Sequence, residues 1–332
     1  MNNIDFLAIG DITADAFIRL SGNDADIIKN PNEEGSKICF NFGDKIEYDF
    51  VKQVYAVGNS PNAAVSAVRL GLSSSLLANV GKDDLGEKTI ATLKENGVTT
   101  SLIRTHAGKK TNQHYVLWYG AERTILINHE EYPYELSNIG DPQWIYFSSL
   151  GEKSIEFHHA LAAWQKEHPK TKLAFQPGTF QIRLGKDKLK DLYEVTELFF
   201  CNVQEAQRIL ETEESDIKAL LKSMCALGPR ISIITDGPRG AYTYDGEEIW
   251  HMPMYPDPKE PLDRTGAGDS FASTFTAMLA LGESVPEALR RAPINSMSVV
   301  QYIGAQEGLL SREVLEEHLK NAPADYKATK VE

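Results

Sequence analysis

Apolar residues fall along this chain in two alternating rhythms. Short, largely apolar runs occur at residues 6–9, 76–80, 144–147, 173–175, 198–201 and 231–235. They are too short for buried helices and are rich in β-branched and aromatic residues, so they are expected to be strands. Between most of them the apolar positions return three and four apart, as at Phe157, Leu161 and Trp164, and at Leu220, Leu221 and Met224. That spacing puts them on one face of a helix. The alternation predicts a doubly wound α/β domain, a mainly parallel sheet with helices on both faces. Ser60-Pro61 is expected to open a helix, with a cap residue and a proline in the first turn, and Gly71 to close it. Asp245-Gly246 marks a hairpin between residues 241–244 and 248–252.

Two segments break the rhythm. Residues 16–56 and 111–129 carry many aromatic and β-branched residues, among them Ile38, Phe40, Phe42, Tyr48, Phe50 and Trp118, without helical period. They predict extra antiparallel strands projecting from the main sheet, which could serve as a sheet extension or a dimer interface. With no repeat and no low-complexity linker, residues 1–332 read as a single domain.

Composition narrows the function classes. A net charge of −13 offers no basic stripe for displacing counterions, so nucleic acid is not expected as a partner. The three cysteines, Cys39, Cys201 and Cys225, are widely spaced and lack a Cys-x-x-Cys pair, which suggests neither a disulfide framework nor a zinc site. Residues 1–10 form a short apolar strand rather than a leader, and no apolar run approaches a membrane span. A cytoplasmic protein without a membrane partner is the expectation.

The chemistry is concentrated in residues 263–271, Asp-Arg-Thr-Gly-Ala-Gly-Asp-Ser-Phe. From Phe271 the apolar positions Phe275, Met278 and Leu279 mark one helical face, which places Gly266, Ala267 and Gly268 at the helix N-terminus. Unpaired N–H groups and the positive end of the helix dipole make that end an anion site, and glycine lets a phosphate come close. Asp269 then stands beside the anion, where a carboxylate can take the proton of an incoming hydroxyl. An ordinary Asp in a first helical turn would look the same in isolation.

The longer string resembles the C-terminal signature of the ribokinase-like (PfkB) carbohydrate kinases. The resemblance runs from about Ile4 to about Leu310. It implies ATP-dependent phosphorylation of a hydroxymethyl group on a sugar, with Asp269 as base and Gly266, Ala267 and Gly268 as anion hole. It also implies a lid, from residues 16–56 and 111–129, that excludes water and through which two copies are expected to pair. Asp15, after Gly10, matches the family position that holds sugar hydroxyls. Gly58 and Asn62 match a substrate-contacting element, although Val57 replaces the first glycine of the usual pair. Asn202 and Glu205 resemble the Asn-x-x-Glu element near Mg2+ and the nucleotide phosphates; as residue types alone they read as a helix start. Thr235, Gly237 and Gly240 resemble the nucleotide loop. Asp263, Thr265 and Gly304 stand where the family holds a monovalent cation, K+, through backbone carbonyls, with Gly308 in place of a frequent serine.

Residues 81–89 nearly match a phosphate loop, but one inserted residue would turn Lys88 away from phosphates, so residues 84–96 read as a surface helix closed by Gly97. His158-His159 reads as a surface pair. Three other functions are weighed. A nucleoside kinase would stack its base on Phe40, Phe42, His114 or Trp118. A nucleotide-linked oxidoreductase is disfavoured because no Gly-x-Gly-x-x-Gly turn follows the first strand. A catalytically dead ligand sensor is disfavoured by the intact Asp269 and glycines.

Overall fold

The apolar runs of the sequence become the parallel strands of the central sheet. A computed structural model describes residues 4–21, 26–29, 36–120, 122–136 and 138–331. Its first half contains β1 (Phe6–Ile9), β2 (Thr13–Leu20), β3 (Asp26–Lys29), β4 (Ser36–Cys39), β5 (Tyr48–Val57), α1 (Asn59–Arg69), β6 (Ser74–Gly81) and α2 (Asp84–Glu95). Then come β7 (Ile103–His106), β8 (Asn112–Tyr119), β9 (Glu122–Leu126), β10 (Trp144–Phe147), α3 (Ile155–Glu167), β11 (Lys172–Phe175), α4 (Thr179–Leu184) and α5 (Lys190–Glu194). The rest is β12 (Leu198–Asn202), α6 (Val203–Leu210), α7 (Ile217–Ala226), β13 (Ile231–Thr235), β14 (Ala241–Tyr244) and β15 (Ile249–Met252). Helices α8 (Ala267–Ala280), α9 (Val285–Val299) and α10 (Arg312–Lys320) precede the short edge strand β16 (Thr329–Val331).

The main sheet has the order β16-β15-β14-β13-β12-β11-β10-β1-β6-β7. It is parallel from β13 to β7 and antiparallel at the β14–β16 edge, where the expected hairpin lies. Side chains alternate between its faces. Phe6 and Ala8 join a core with α1, α8 and α9, while Leu7 and Ile9 join another with α3, α5, α6 and α7. Each fully buried Leu, Ile or Phe contributes about 1.5–3 kcal/mol, so this two-sided burial explains why the strands lack polar alternation. Strand order reverses between β1 and β10, and the C-terminal ends of the strands at such a reversal are the usual place for ligands.

The projecting strands form a four-stranded sheet, β5-β2-β8-β9. It is mixed rather than wholly antiparallel, because β2 and β8 run parallel. It begins at Thr13, so Asp15 lies on the lid strand itself. Residues 22–25 and 30–35 of the expected lid lie outside the described residues. Helix α1 starts two residues earlier than its sequence suggested, with Gly58 as cap. Ser60 turns inward instead, donating to the Ile9 carbonyl at 2.6 Å. His158 is likewise not at the surface: it is fully buried, with Nδ1 2.6 Å from the Ser154 carbonyl, and only its neighbour His159 faces outward, beside Asp191. The helix after Gly81 is as expected, capped by Asp83 through the Gly86 N–H and ended ahead of Gly97.

Candidate active site

Helix α8 begins where the sequence placed it. Gly266 caps it at φ +81°, and a Cβ there would lie 2.4 Å from the Ala305 Cβ, so both the turn and the contact call for glycine. Ala267 and Gly268 follow in the first turn, whose N–H groups have no helical acceptors. Asp269 is half-buried and fixed by carboxamides. Asn59 donates to its Oδ1 at 2.7 Å, Asn62 to its Oδ2 at 2.8 Å and Gln176 to its Oδ1 at 3.3 Å. Burial pushes the Asp269 carboxyl up from its ordinary range, and these three donors oppose that shift. The donors are themselves held. Gln306 donates to Asn62 Oδ1 at 2.9 Å and to the Ala56 carbonyl at 2.7 Å, and Tyr146 donates to Gln176 Oε1.

On the lid side Asp11, Asp15, His114 and His129 cluster into an acidic, histidine-lined floor. Asp15 is buried on β2, accepts from Thr13 Oγ1 at 3.1 Å and has His114 Nδ1 3.5 Å away. Burial, joined by the charge of Asp263 and opposed by Thr13, pushes its carboxyl up to about 6. Burial, with His129 alongside, holds His114 down to about 4, so its ring is neutral near pH 7. The Nε2 atoms of His114 and His129 are 3.1 Å apart, and His129 Nδ1 lies 3.6 Å from Asp11. Asp11 in turn accepts from the Tyr134 hydroxyl at 2.9 Å. Gly58 has φ +124°, and a Cβ there would meet the Asp11 carbonyl at 2.8 Å, so its glycine keeps this floor against α1. Ala56, two residues earlier, already sits at φ +60°, a conformation glycine would adopt more easily.

On the other side of α8 a cleft of about 280 Å³ runs along its first turn. Thr235, Gly237 and Gly240 line it together with Ala267, Gly268, Phe271 and Met297. Gly240 has φ +91°, and a Cβ there would strike the Met252 carbonyl at 2.1 Å. Asn202 and Glu205 form a capping box at the start of α6: Glu205 N donates to Asn202 Oδ1 and Asn202 N donates to Glu205 Oε2, both at 2.9 Å. The helix-start reading of this pair is thus correct as local structure. Burial pushes the Glu205 carboxyl up, opposed by the Asn202 N–H and raised further by the charge of Asp269.

The structure therefore gathers Asp269, Gly266, Ala267, Gly268 and Asn62 in one place, with Asp15 and Gly58 on one side and Thr235, Gly237 and Gly240 on the other. The aromatic set weighed for stacking a base does not assemble. Phe42 is fully exposed, and Trp118 packs outside the floor against Arg19 and Phe50. Asn59, Gln176, Asp11, His129 and Tyr134 were not foreseen from the sequence. Gln176 could have been, since it directly follows β11 at the carboxyl edge of the sheet.

Comparison with known proteins gives the family and the fold. The profile of the pfkB family carbohydrate kinases matches residues 40–312. The chain belongs to the pfkB family. Among its relatives is the fructoselysine 6-kinase of Escherichia coli (strain K12), 26% identical over 260 residues, covering 78% of this chain and 94% of that protein. The nucleoside kinase structure of Methanocaldococcus jannaschii superposes with a TM-score of 0.76 at 19% identity, over 97% of this chain and 100% of the other. The Arabidopsis thaliana ribokinase structure, complexed with ribose and ATP, gives 0.80 at 18% identity, over 96% and 99%. These likenesses establish the ribokinase-like fold. As a pfkB kinase the chain is a phosphotransferase with a hydroxyl acceptor, and its relatives act on sugars or nucleosides.

Family membership raises two ions to be tested against the residues present. No group of three or more His, Cys, Asp or Glu able to hold a metal occurs among the described residues. Magnesium in kinases needs less, because one carboxylate with waters and substrate phosphates suffices. Glu205, near enough to Asp269 to feel its charge and with Oε1 outside the capping box, fits that role. A monovalent cation fits poorly at the Asp263 carboxylate. Asp263 Oδ1 already accepts from Thr265 N at 2.9 Å, from Thr265 Oγ1 at 2.6 Å and from Arg123 at 2.5 Å, while Oδ2 accepts from Gly304 N at 3.0 Å.

Proposed function

We propose that this enzyme transfers the γ-phosphoryl group of ATP to a hydroxymethyl group of a sugar or sugar conjugate. The observation that carries the reading is the position of Asp269. It sits in the first turn of α8, with the Asp15 floor on one side and the 280 Å³ cleft on the other.

In this reading Asp15 and Asn62 hold hydroxyl groups of the acceptor, and the nucleotide lies along Thr235, Gly237 and Gly240. Asp269 takes the proton of the attacking hydroxyl as the oxygen–phosphorus bond forms. The backbone N–H groups of residues 266–268 hold the charge that develops on the transferred group. Bound Mg2+, near Glu205 and Asn202, would neutralise charge on the nucleotide phosphates. The lid sheet covers the acceptor and excludes competing water. A neutral polyol suits the floor: Asp11, Asp15 and Asp269 would repel an acceptor that already carried phosphate. Exposed Tyr48, Phe50 and Tyr115 support the expected pairing of two copies through the lid.

The test is a screen of pentoses, hexoses, amino-sugar conjugates, sugar phosphates and nucleosides by coupled ADP release. The proposal expects turnover with an unphosphorylated sugar or conjugate. Turnover confined to nucleosides or to sugar phosphates would overturn it.

A further inference from the structure

Arg123 stands on lid strand β9, yet its guanidinium reaches residue 263, at the start of the segment that leads into α8. The hydrogen bond from Nη1 to Asp263 Oδ1 is 2.5 Å long, and Asp263 is 6% exposed. Phe17, Trp118, Leu262 and Ile303 wall the gap around the pair, which shields it from water and strengthens the attraction. A second lid-to-body ion pair, Lys52 with Glu307, is more open to solvent and correspondingly weaker.

Asp263 is the hub of both flanks of the anion hole. Its carboxylate receives Thr265 N–H on one side and Gly304 N–H on the other. Gly266, next to Thr265, is pressed against Ala305, next to Gly304. Whatever neutralises Asp263 therefore fixes the first turn of α8. A second cation at the same carboxylate would meet like-charge repulsion from the guanidinium, and Oδ1 is already filled by three donors. Position 308 points the same way. A Cβ on Gly308 would lie 2.6 Å from the Ser298 carbonyl and 2.8 Å from the Val299 Cα, so a serine hydroxyl could not be supplied there.

We infer that Arg123 is a positioning residue whose guanidinium does the work of a monovalent cation, so that closure of the lid itself orders residues 266–268. The inference rests on the role proposed above for those residues. It makes the hole dependent on the lid and independent of potassium.

The experiment begins with the wild-type protein in KCl and NaCl at equal ionic strength, followed by thermal unfolding and hydrogen exchange, neither of which needs an acceptor. Equal melting temperatures and equal protection of the Thr265 and Gly304 amides are expected. Arg123→Ala should lose that protection and acquire stabilisation by KCl over NaCl. With a working acceptor its kcat should fall at least about tenfold, with partial rescue by low millimolar guanidinium. Arg123→Lys, which keeps the charge but not the fork, should fall between. Potassium-specific stabilisation or activation of the wild type would overturn the inference, as would unchanged amide protection in Arg123→Ala. Should Arg123→Ala not fold, the wild-type ion series and Arg123→Lys decide it. Turnover confined to nucleosides or sugar phosphates would count against the proposed acceptor alone, since the exchange and melting results do not depend on it.

Discussion

Replacing Asp269 by asparagine exchanges one oxygen for an NH2 group inside a cage of donors. Oδ1 can keep its bonds from Asn59 and Gln176, but the new NH2 at the Oδ2 position faces the Asn62 amide at 2.8 Å, donor against donor. Asn62 cannot simply flip, because its Oδ1 accepts from Gln306, whose Nε2 is also bonded to the Ala56 carbonyl. One unmade buried hydrogen bond costs about 1–3 kcal/mol of stability, partly offset because the neutral side chain no longer has a charge to bury. The effect on chemistry is larger. Removing a general base costs about 10²–10⁴ in rate, or about 3–5 kcal/mol of transition-state stabilisation. The nucleotide cleft is lined by other residues, so its occupancy should survive. The assay pairs kcat from coupled ADP release with ATP affinity from titration calorimetry and stability from urea unfolding. Unchanged ATP affinity with kcat down at least about a hundredfold is expected. Turnover above about a tenth of wild type in a folded variant would refute the assignment of Asp269 as base.

Asp15→Ala should raise the acceptor KM strongly and leave the ATP KM nearly unchanged, because the residue lies on the lid side of α8; the opposite pattern in initial-rate kinetics would reverse the layout. The Asp15 carboxyl is raised from 3.8 to about 6. The folded protein therefore holds a proton there that the unfolded chain has lost, and this group's contribution to stability, full below about pH 4, declines as pH rises through about 6. Only the ionised form accepts from two hydroxyls at both oxygens, so kcat/KM for the acceptor should rise through about pH 6, and Asp15→Asn should abolish that inflection. Gly308→Ser should destabilise by about 1–3 kcal/mol through overpacking against Ser298 and Val299, seen as a lower urea midpoint; an unchanged midpoint would show that this loop yields. The described strands β2, β5, β8 and β9 should gain hydrogen-exchange protection with saturating acceptor, and unchanged exchange in all four would remove the lid's role.

The core strands were legible because a strand covered on both faces must be apolar throughout, as residues 144–147 and 173–175 are. The first turn of α8 was legible because glycines and an acid mark an anion-binding helix end in local sequence alone. What failed had distant causes. Ser60 looked like a cap, yet its hydroxyl is drawn inward by the Ile9 carbonyl, which no local pattern records. His158 looked polar and exposed but lies over Phe147, with its Nδ1 turned to its own helix. The carboxamides around Asp269 were out of reach for the same reason: Asn59 is separated from it by 210 residues and Gln176 by 93. Arg123 sits in a stretch whose strand character was visible, but its partner in the body depends on how the lid folds over.

The three carboxamides around Asp269 carry a consequence for how such an enzyme can diversify. Asn59, Asn62 and Gln176 have no protons to gain or lose at ordinary pH, whereas Asp15 on the acceptor floor, pushed up to about 6, does. A substitution on the floor can thus alter which acceptor is gripped, and at what acidity, with little disturbance to the proton affinity of the base. The reacting end and the recognising end of one chamber are free to drift separately, and a lineage can change its diet while keeping its chemistry.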